Sequence, residues 1–111
     1  MVGLEISKMS ELIRLIRSEE RPILIDFYTV WCAPCKLMEL VLEEVKEKYG
    51  DKVLIIRIDC EKALEIAREF SIMSVPTLMI FHRKELVEQL IGFSSRIRER
   101  IFSILDKLVK G

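Results

Sequence analysis

The stretch VWCAPCKLMEL, Val30 to Leu40, places two cysteines around an Ala-Pro pair where an apolar run gives way to a helical pattern. Upstream, ILIDFY (Ile23 to Tyr28) is apolar on both faces apart from Asp26, as a central strand covered on both sides requires. Downstream, no Gly or Pro follows Pro34 until Gly50, and Leu37, Met38, Val41, Leu42 and Val45 make one broad stripe. This predicts a helix over residues 33 to 49, terminated by Gly50. Cys32 then falls at a helix N-terminus, where unpaired amides and the helix dipole favour the nucleophilic thiolate. Ala33 and Pro34 occupy the first turn, where a proline forfeits no hydrogen bond and fixes the backbone so that both sulfurs can approach. Cys35, one turn further in, is expected to be more buried and less reactive.

The rest of the chain repeats the alternation of apolar strands and amphipathic segments, with no linker and no internal repeat. Leu4 to Ser7 reads as a short edge strand, and Met9, Leu12, Ile13 and Ile16 recur at helical spacing with Ser7 or Ser10 as N-cap. KVLIIRID is a second buried strand, and Asp59 is expected to cap a short helix carrying Ala63, Leu64, Ala67 and Phe70. Pro76 opens the strand TLMIFH at a position where no ladder bond is lost. ELVEQLIG follows too soon for a helical crossover and must pair antiparallel with it. Ile97, Ile101, Ile104, Leu105 and Leu108 close the chain as an amphipathic helix. The order β-α-β-α-β-α-β-β-α implies an α/β fold: a central mixed five-stranded sheet with helices on both faces, in a single domain over residues 1–111.

Eighteen basic residues balance eighteen acidic ones, so nothing in the charge favours nucleic acid or an anionic membrane as partner. The basic cluster at Arg96 to Arg100 is interrupted by Glu99 and reads as a solvated helix face. The first twenty residues carry charge in every turn, unlike a secretory leader, and charges break every long apolar run. Three cysteines are too few for a disulfide framework of the secreted kind, which points to reduced thiols and a cytoplasmic location. Asparagine is absent and Gln89 is the only glutamine, a bias expected of a protein from a hot environment.

Three chemistries compete for the cysteine pair. A structural zinc site needs about four ligands, and beyond the pair the chain offers only Cys60 and His82, neither in a second paired motif. A purely structural disulfide closing so short a loop would constrain the unfolded chain very little. The third is thiol–disulfide exchange: Cys32 attacks a partner's disulfide, and Cys35 attacks the resulting mixed disulfide. Asp26, a carboxylate in an otherwise apolar strand just before the pair, suits a proton acceptor for Cys35 because burial raises its pKa. Its other reading is structural, satisfied by a hydrogen bond or by Arg57 on the neighbouring strand. Cys60 reads as a small buried hydrophobe or as an exposed thiol, and His82 has no catalytic partner.

DFYTVWCAPCK closely resembles the active-site segment of the thioredoxin family, and the resemblance extends over essentially the whole chain through Asp26, Trp31, Lys36, SVPTLMIF with Pro76, and Gly92. It implies the thioredoxin fold and a protein-disulfide reductase with Cys32 as nucleophile, Cys35 as resolving thiol and Asp26 as proton acceptor. It further implies that Pro76 is a cis-proline facing the cysteines and that the backbone of Val75 pairs with a bound substrate strand. Trp31, Val75, Pro76, Gly92 and Phe93, with Ala33 and Pro34 between the cysteines, would make the surface that docks partners; Lys36 follows the pair as in the family. The partners implied are disulfide-containing proteins and a separate reductase that recharges the pair, with no bound cofactor or metal, no nucleic acid and no membrane; a monomer is expected. Several residues depart from the family pattern: Ala33 for a glycine, Tyr28 for a tryptophan, Arg57 for a lysine, Leu40 for a helix-kinking proline, Ser74 for a glycine, and a hairpin HRKE without glycine. Leu40 implies a straighter helix, and none of these changes removes a reacting group. Two alternatives stay open: a thioredoxin-fold binding module or adaptor, and a disulfide oxidase or isomerase, against which Pro34 stands where those enzymes carry histidine.

Overall fold

The computed structural model describes residues 2–110; Met1 and Gly111, the ends of the expected domain, lie outside the described residues. The chain runs β1 (Leu4–Glu5), α1 (Met9–Ser18), β2 (Ile23–Tyr28), α2 (Ala33–Tyr49), a 3-10 turn (Gly50–Lys52), β3 (Leu54–Asp59), α3 (Leu64–Glu69), β4 (Thr77–His82), β5 (Glu85–Ile91) and α4 (Ser95–Lys110). The sheet order is β1-β3-β2-β4-β5. β1, β3 and β2 are parallel, while β4 runs antiparallel to both β2 and β5. The mixed sheet and its element order are those expected from periodicity.

Side chains alternate across the sheet with the two-residue period of a strand, and each set finds its own helices. Leu24, Ile55, Leu78 and Ile80 pack against Met38, Val41, Leu42 and Val45 of α2 and Ile101, Ile104 and Leu105 of α4. Ile23, Ile25, Phe27, Ile56, Ile58 and Met79 face Leu12 and Ile16 of α1 and Ile66 of α3. Asp26 and Arg57 are in register on β2 and β3 and share the parity of Leu24 and Ile55, so both project to the side covered by α2.

Local details differ from expectation for identifiable reasons. The N-cap of α1 is Lys8, with no side-chain cap, so neither Ser7 nor Ser10 plays that part. Asp59 caps the turn before α3 rather than the helix: its carboxylate accepts from Glu61 N at 3.0 Å, and Ala63 is the N-cap residue. Leu37 is half exposed and Leu64 likewise, while Tyr49 and Ile66 fill the buried positions. α2 runs unbroken from Ala33 to Tyr49 with Leu40 in place, and Gly50 at φ +57 ends it in a conformation that L side chains rarely adopt. Arg83 and Lys84 both take positive φ, 52° and 73°, which makes the HRKE hairpin a type I′ turn built without glycine.

Candidate functional site

The carboxyl ends of β2, β3 and β5 and the start of β4 meet at one end of the sheet. Register shows this directly: Tyr28 lies opposite Asp59, Phe27 opposite Thr77, and Thr77 opposite Ile91. The loop that leaves β2 carries Val30 and Trp31 into solvent, Trp31 with 83% of its surface exposed, and enters α2 at Cys32.

Cys32 is the N-cap of α2, and its Sγ accepts the N–H of Cys35 at 3.1 Å. A sulfur in that position replaces the usual oxygen cap and receives an amide that would otherwise be unpaired. No acidic residue occupies the first turn, so nothing there opposes negative charge on the sulfur. Ala33 and Pro34 are the first helical residues and are exposed, as is Lys36 after the pair. Cys35 is buried and is bonded to Cys32 in a disulfide. The more exposed sulfur sits at the helix mouth and the inner one behind it.

On the side of β4, the Val75–Pro76 peptide is cis. Pro76 is buried, its carbonyl accepts the N–H of Gly92 at 2.8 Å, and Gly92 holds φ +90. That bond ties the chain after β5 to the proline loop. Val75 and Gly92 are half-buried, and Phe93 packs partly into the core between α2 and α4. Two further large apolar side chains are exposed: Met73, read from the sequence as packing or docking surface, at 93%, and Ile91, the final residue of β5, at 61%.

Beneath α2 lies the charge system. Asp26 is fully buried, and Arg57 Nε donates to its Oδ2 at 3.1 Å. Arg57 Nη1 donates to Glu39 on α2, and the guanidinium carbon stands 4.0 Å from the centre of the Tyr28 ring. Tyr28 in turn donates its hydroxyl to Glu5 at 2.8 Å. Burial pushes the Asp26 carboxyl up to about 6; Arg57 opposes that rise, and Glu39 and Glu5 add to it. The structural and proton-accepting readings of Asp26 are therefore compatible in one geometry. Glu39 was missed at the level of sequence, although its spacing of four from Cys35 puts it on the same helix face. Cys60 is half-buried, and burial raises its thiol to about 11, so it lacks thiolate character near neutrality. Among the described residues no group of three or more His, Cys, Asp or Glu side chains is placed to hold a metal ion.

The thioredoxin family model matches residues 5–107. The chain is 46% identical over 67 residues to "Thioredoxin Y, chloroplastic" of Oryza sativa subsp. japonica, a match that covers 60% of this chain and 40% of that protein. It is 40% identical over 77 residues to a thioredoxin of Alicyclobacillus acidocaldarius, covering 69% of this chain and 73% of that one. Mitochondrial thioredoxin 3 of Saccharomyces cerevisiae in its oxidised form superposes with a TM-score of 0.83 at 26% identity, covering 93% of this chain and 95% of that structure. With a helix-capping Cys32, a buried Cys35 and a match over nearly all its length, the chain belongs to the thioredoxin family of thiol–disulfide oxidoreductases.

Proposed function

We propose that the protein reduces disulfide bonds in other proteins by two successive exchanges. In the dithiol state Cys32 loses its proton and its sulfur attacks one sulfur of the substrate disulfide; the substrate S–S bond breaks and a Cys32–substrate disulfide forms. Cys35 then gives up its proton to Asp26, and its sulfur attacks Cys32, releasing the second substrate thiol. Two electrons pass to the substrate, which takes up two protons as its thiols form, and the Cys32–Cys35 disulfide remains. A separate reductase must return two electrons before the next cycle. Asp26 suits its part because a carboxyl with a midpoint of about 6 is mostly ionised at neutral pH, yet holds a proton far more readily than an ordinary aspartate.

The exposed Trp31, with Val75, Pro76, Gly92 and Phe93 near the same sheet end, serves as the docking surface; Ala33 and Pro34 border the sulfurs, and Lys36 keeps positive charge beside them. The chain works as a monomer in a thiol-reducing compartment, the cytoplasm, without a bound cofactor.

The observation that carries this reading is the asymmetry of the pair: Cys32 at the helix mouth accepting an amide at 3.1 Å, and Cys35 buried behind it. An insulin-reduction assay with dithiothreitol tests it. The native protein should accelerate precipitation of the insulin chains, while Cys35→Ser should stall at the mixed disulfide and Cys32→Ser should be inert. No acceleration by the native protein would leave only binding, as in an adaptor, equal activity in Cys35→Ser would count against the two-thiol reductase, and a potential of about −180 mV or higher would favour an oxidase or isomerase.

A further inference from the structure

The segment between α3 and β4 is anchored at both ends and at one point between. At its start the N–H of Ile72 bonds Ala67 O at 2.9 Å, and at its end the carbonyl of Pro76 accepts the N–H of Gly92 at 2.8 Å. Among the described residues, the one hydrogen bond made by residues 73–75 is at Ser74, whose carbonyl accepts the Thr77 hydroxyl at 2.7 Å. Met73 and Ser74 are exposed, so packing does little to hold them. Thr77, by contrast, opens β4, is only 2% exposed, and is paired on both sides, with Phe27 of β2 and Ile91 of β5. A β-branched side chain on a strand so placed has little freedom about χ1, and a buried hydroxyl needs a partner. Through this one bond the rigidity of the sheet reaches a loop with few constraints of its own. Val75 follows Ser74 directly, and neither its N–H nor its carbonyl is bonded among the described residues. An extended strand arriving beside it can pair with both groups, as at a sheet edge.

We propose that Thr77 is a positioning residue for partner recognition: its hydroxyl fixes Ser74, and so aims the free N–H and carbonyl of Val75 at the backbone of a partner's strand. The inference rests on the reading that Val75 pairs with a bound substrate strand. The hydrogen bond supplies preorganisation, since a loop ordered before the encounter need not be ordered during it. Thr77 touches no reacting atom, so exchange at Cys32 and Cys35 proceeds unchanged once the partner is bound. Its influence is confined to disulfides carried on a peptide backbone, and a small disulfide with no backbone to pair is indifferent to it.

Thr77→Val keeps nearly the same shape and removes the hydroxyl. In the insulin assay it should raise KM about three- to tenfold with kcat within twofold of native. Reduction of a small aromatic disulfide should stay at the native rate, which also shows that the variant is folded and its thiols intact. Thr77→Ser restores the hydroxyl and should return KM for insulin close to the native value. A native KM in Thr77→Val, an equal rise in Thr77→Ser, or an equal loss on the small disulfide would each overturn the proposal. A second pair of substrates separates this from the reading beneath it: a disulfide-linked peptide, and the same peptide N-methylated at the amides flanking its reacting cysteine. The native protein should reduce the methylated peptide less efficiently, and that penalty should shrink in Thr77→Val because the two changes act on one contact. A penalty of the same size in both proteins would overturn the role of Thr77 while leaving the pairing at Val75 intact. Equal reduction of the two peptides by the native protein would instead overturn the pairing itself, and with it the service of Thr77, even if Thr77→Val had raised KM.

Discussion

Two trios of nearly the same composition flank α2, and their settings reverse the chemistry. Beside its first turns stand Asp26, Arg57 and Tyr28; at its last turn stand Asp106, Lys48 and Tyr49. In each, a carboxylate meets a cation that lies over a tyrosine ring, Arg57 at 4.0 Å and Lys48 at 5.3 Å from the ring centre. Asp26 is sealed from water, and burial outweighs its cation, so its pKa rises. Asp106 keeps 41% of its side chain in solvent, and the hydrogen bonds from Tyr49 and Lys48 dominate, so its pKa falls. Composition alone does not decide whether an aspartate is a poised acid–base group or an ordinary surface anion. Access to water does.

The strongest way to break this contrast is to remove the cation from the buried trio. Arg57→Met leaves Asp26 without compensation beneath α2, and should cost about 3–5 kcal/mol at pH 8, where the carboxyl is charged. Much of that loss should return at pH 5, because an unpaired buried carboxyl protonates, and adding Asp26→Asn to the same chain should recover most of it at pH 8. Denaturant unfolding of the single and double variants at both pH values measures this. A loss under about 1 kcal/mol at pH 8 would mean that the pair is far less desolvated than its exposure implies.

Removing the carboxylate instead should act in the opposite direction and by less. Arg57 still has Glu39 and the Tyr28 ring, so Asp26→Asn leaves no orphaned cation. A carboxyl raised from its ordinary 3.8 to about 6 binds its proton more tightly folded than unfolded. Its contribution is therefore fully present below about pH 4 and is lost as pH rises through about 6, a penalty of about 2–3 kcal/mol on the ionised form. Asp26→Asn escapes that penalty and should be the more stable protein at pH 8, by about 2 kcal/mol, with the gain vanishing toward pH 4. Paired urea titrations at the two pH values read the difference; a variant weaker than the native chain at pH 8 would show that ionised Asp26 stabilises the fold. The same variant should resolve mixed disulfides slowly, so stability and turnover part company at this residue.

How far these trios were legible in sequence follows from what each depends on. Asp26 announced itself because a charge interrupted ILIDFY, and Arg57 followed from a second strand of the same pattern in parallel register. Cys32 and Cys35 were legible because a long helical stripe begins directly after them. Glu39 was not, since on a helix with acidic and basic residues in most turns nothing marks one glutamate as facing a buried guanidinium until β3 is laid beside α2. The HRKE turn escaped for a related reason: the type I′ geometry is imposed by the twist of β4 and β5, which overrides the reluctance of Arg83 and Lys84 to adopt positive φ. Trp31 and Met73 illustrate the reverse limit. The resemblance placed Trp31 on a docking surface, but only the fold gives the extent to which it and Met73 stand in solvent, 83% and 93%.

The smallest expected effect belongs to the exposed trio and is the sharpest control on the argument. Asp106→Asn removes a carboxylate whose lowered pKa places any stabilising contribution at neutral and alkaline pH, to be lost only as acid protonates it. Water screens that contribution, since both Asp106 and Lys48 are about half exposed, and the amide keeps an acceptor for the Tyr49 hydroxyl. The melting midpoint should stay within the error of the measurement at pH 4 and pH 8, and at low and high salt alike. A shift approaching that of Asp26→Asn would mean that the residues of a trio, and not its separation from water, set the energetics, and the poised state of Asp26 would then need another cause.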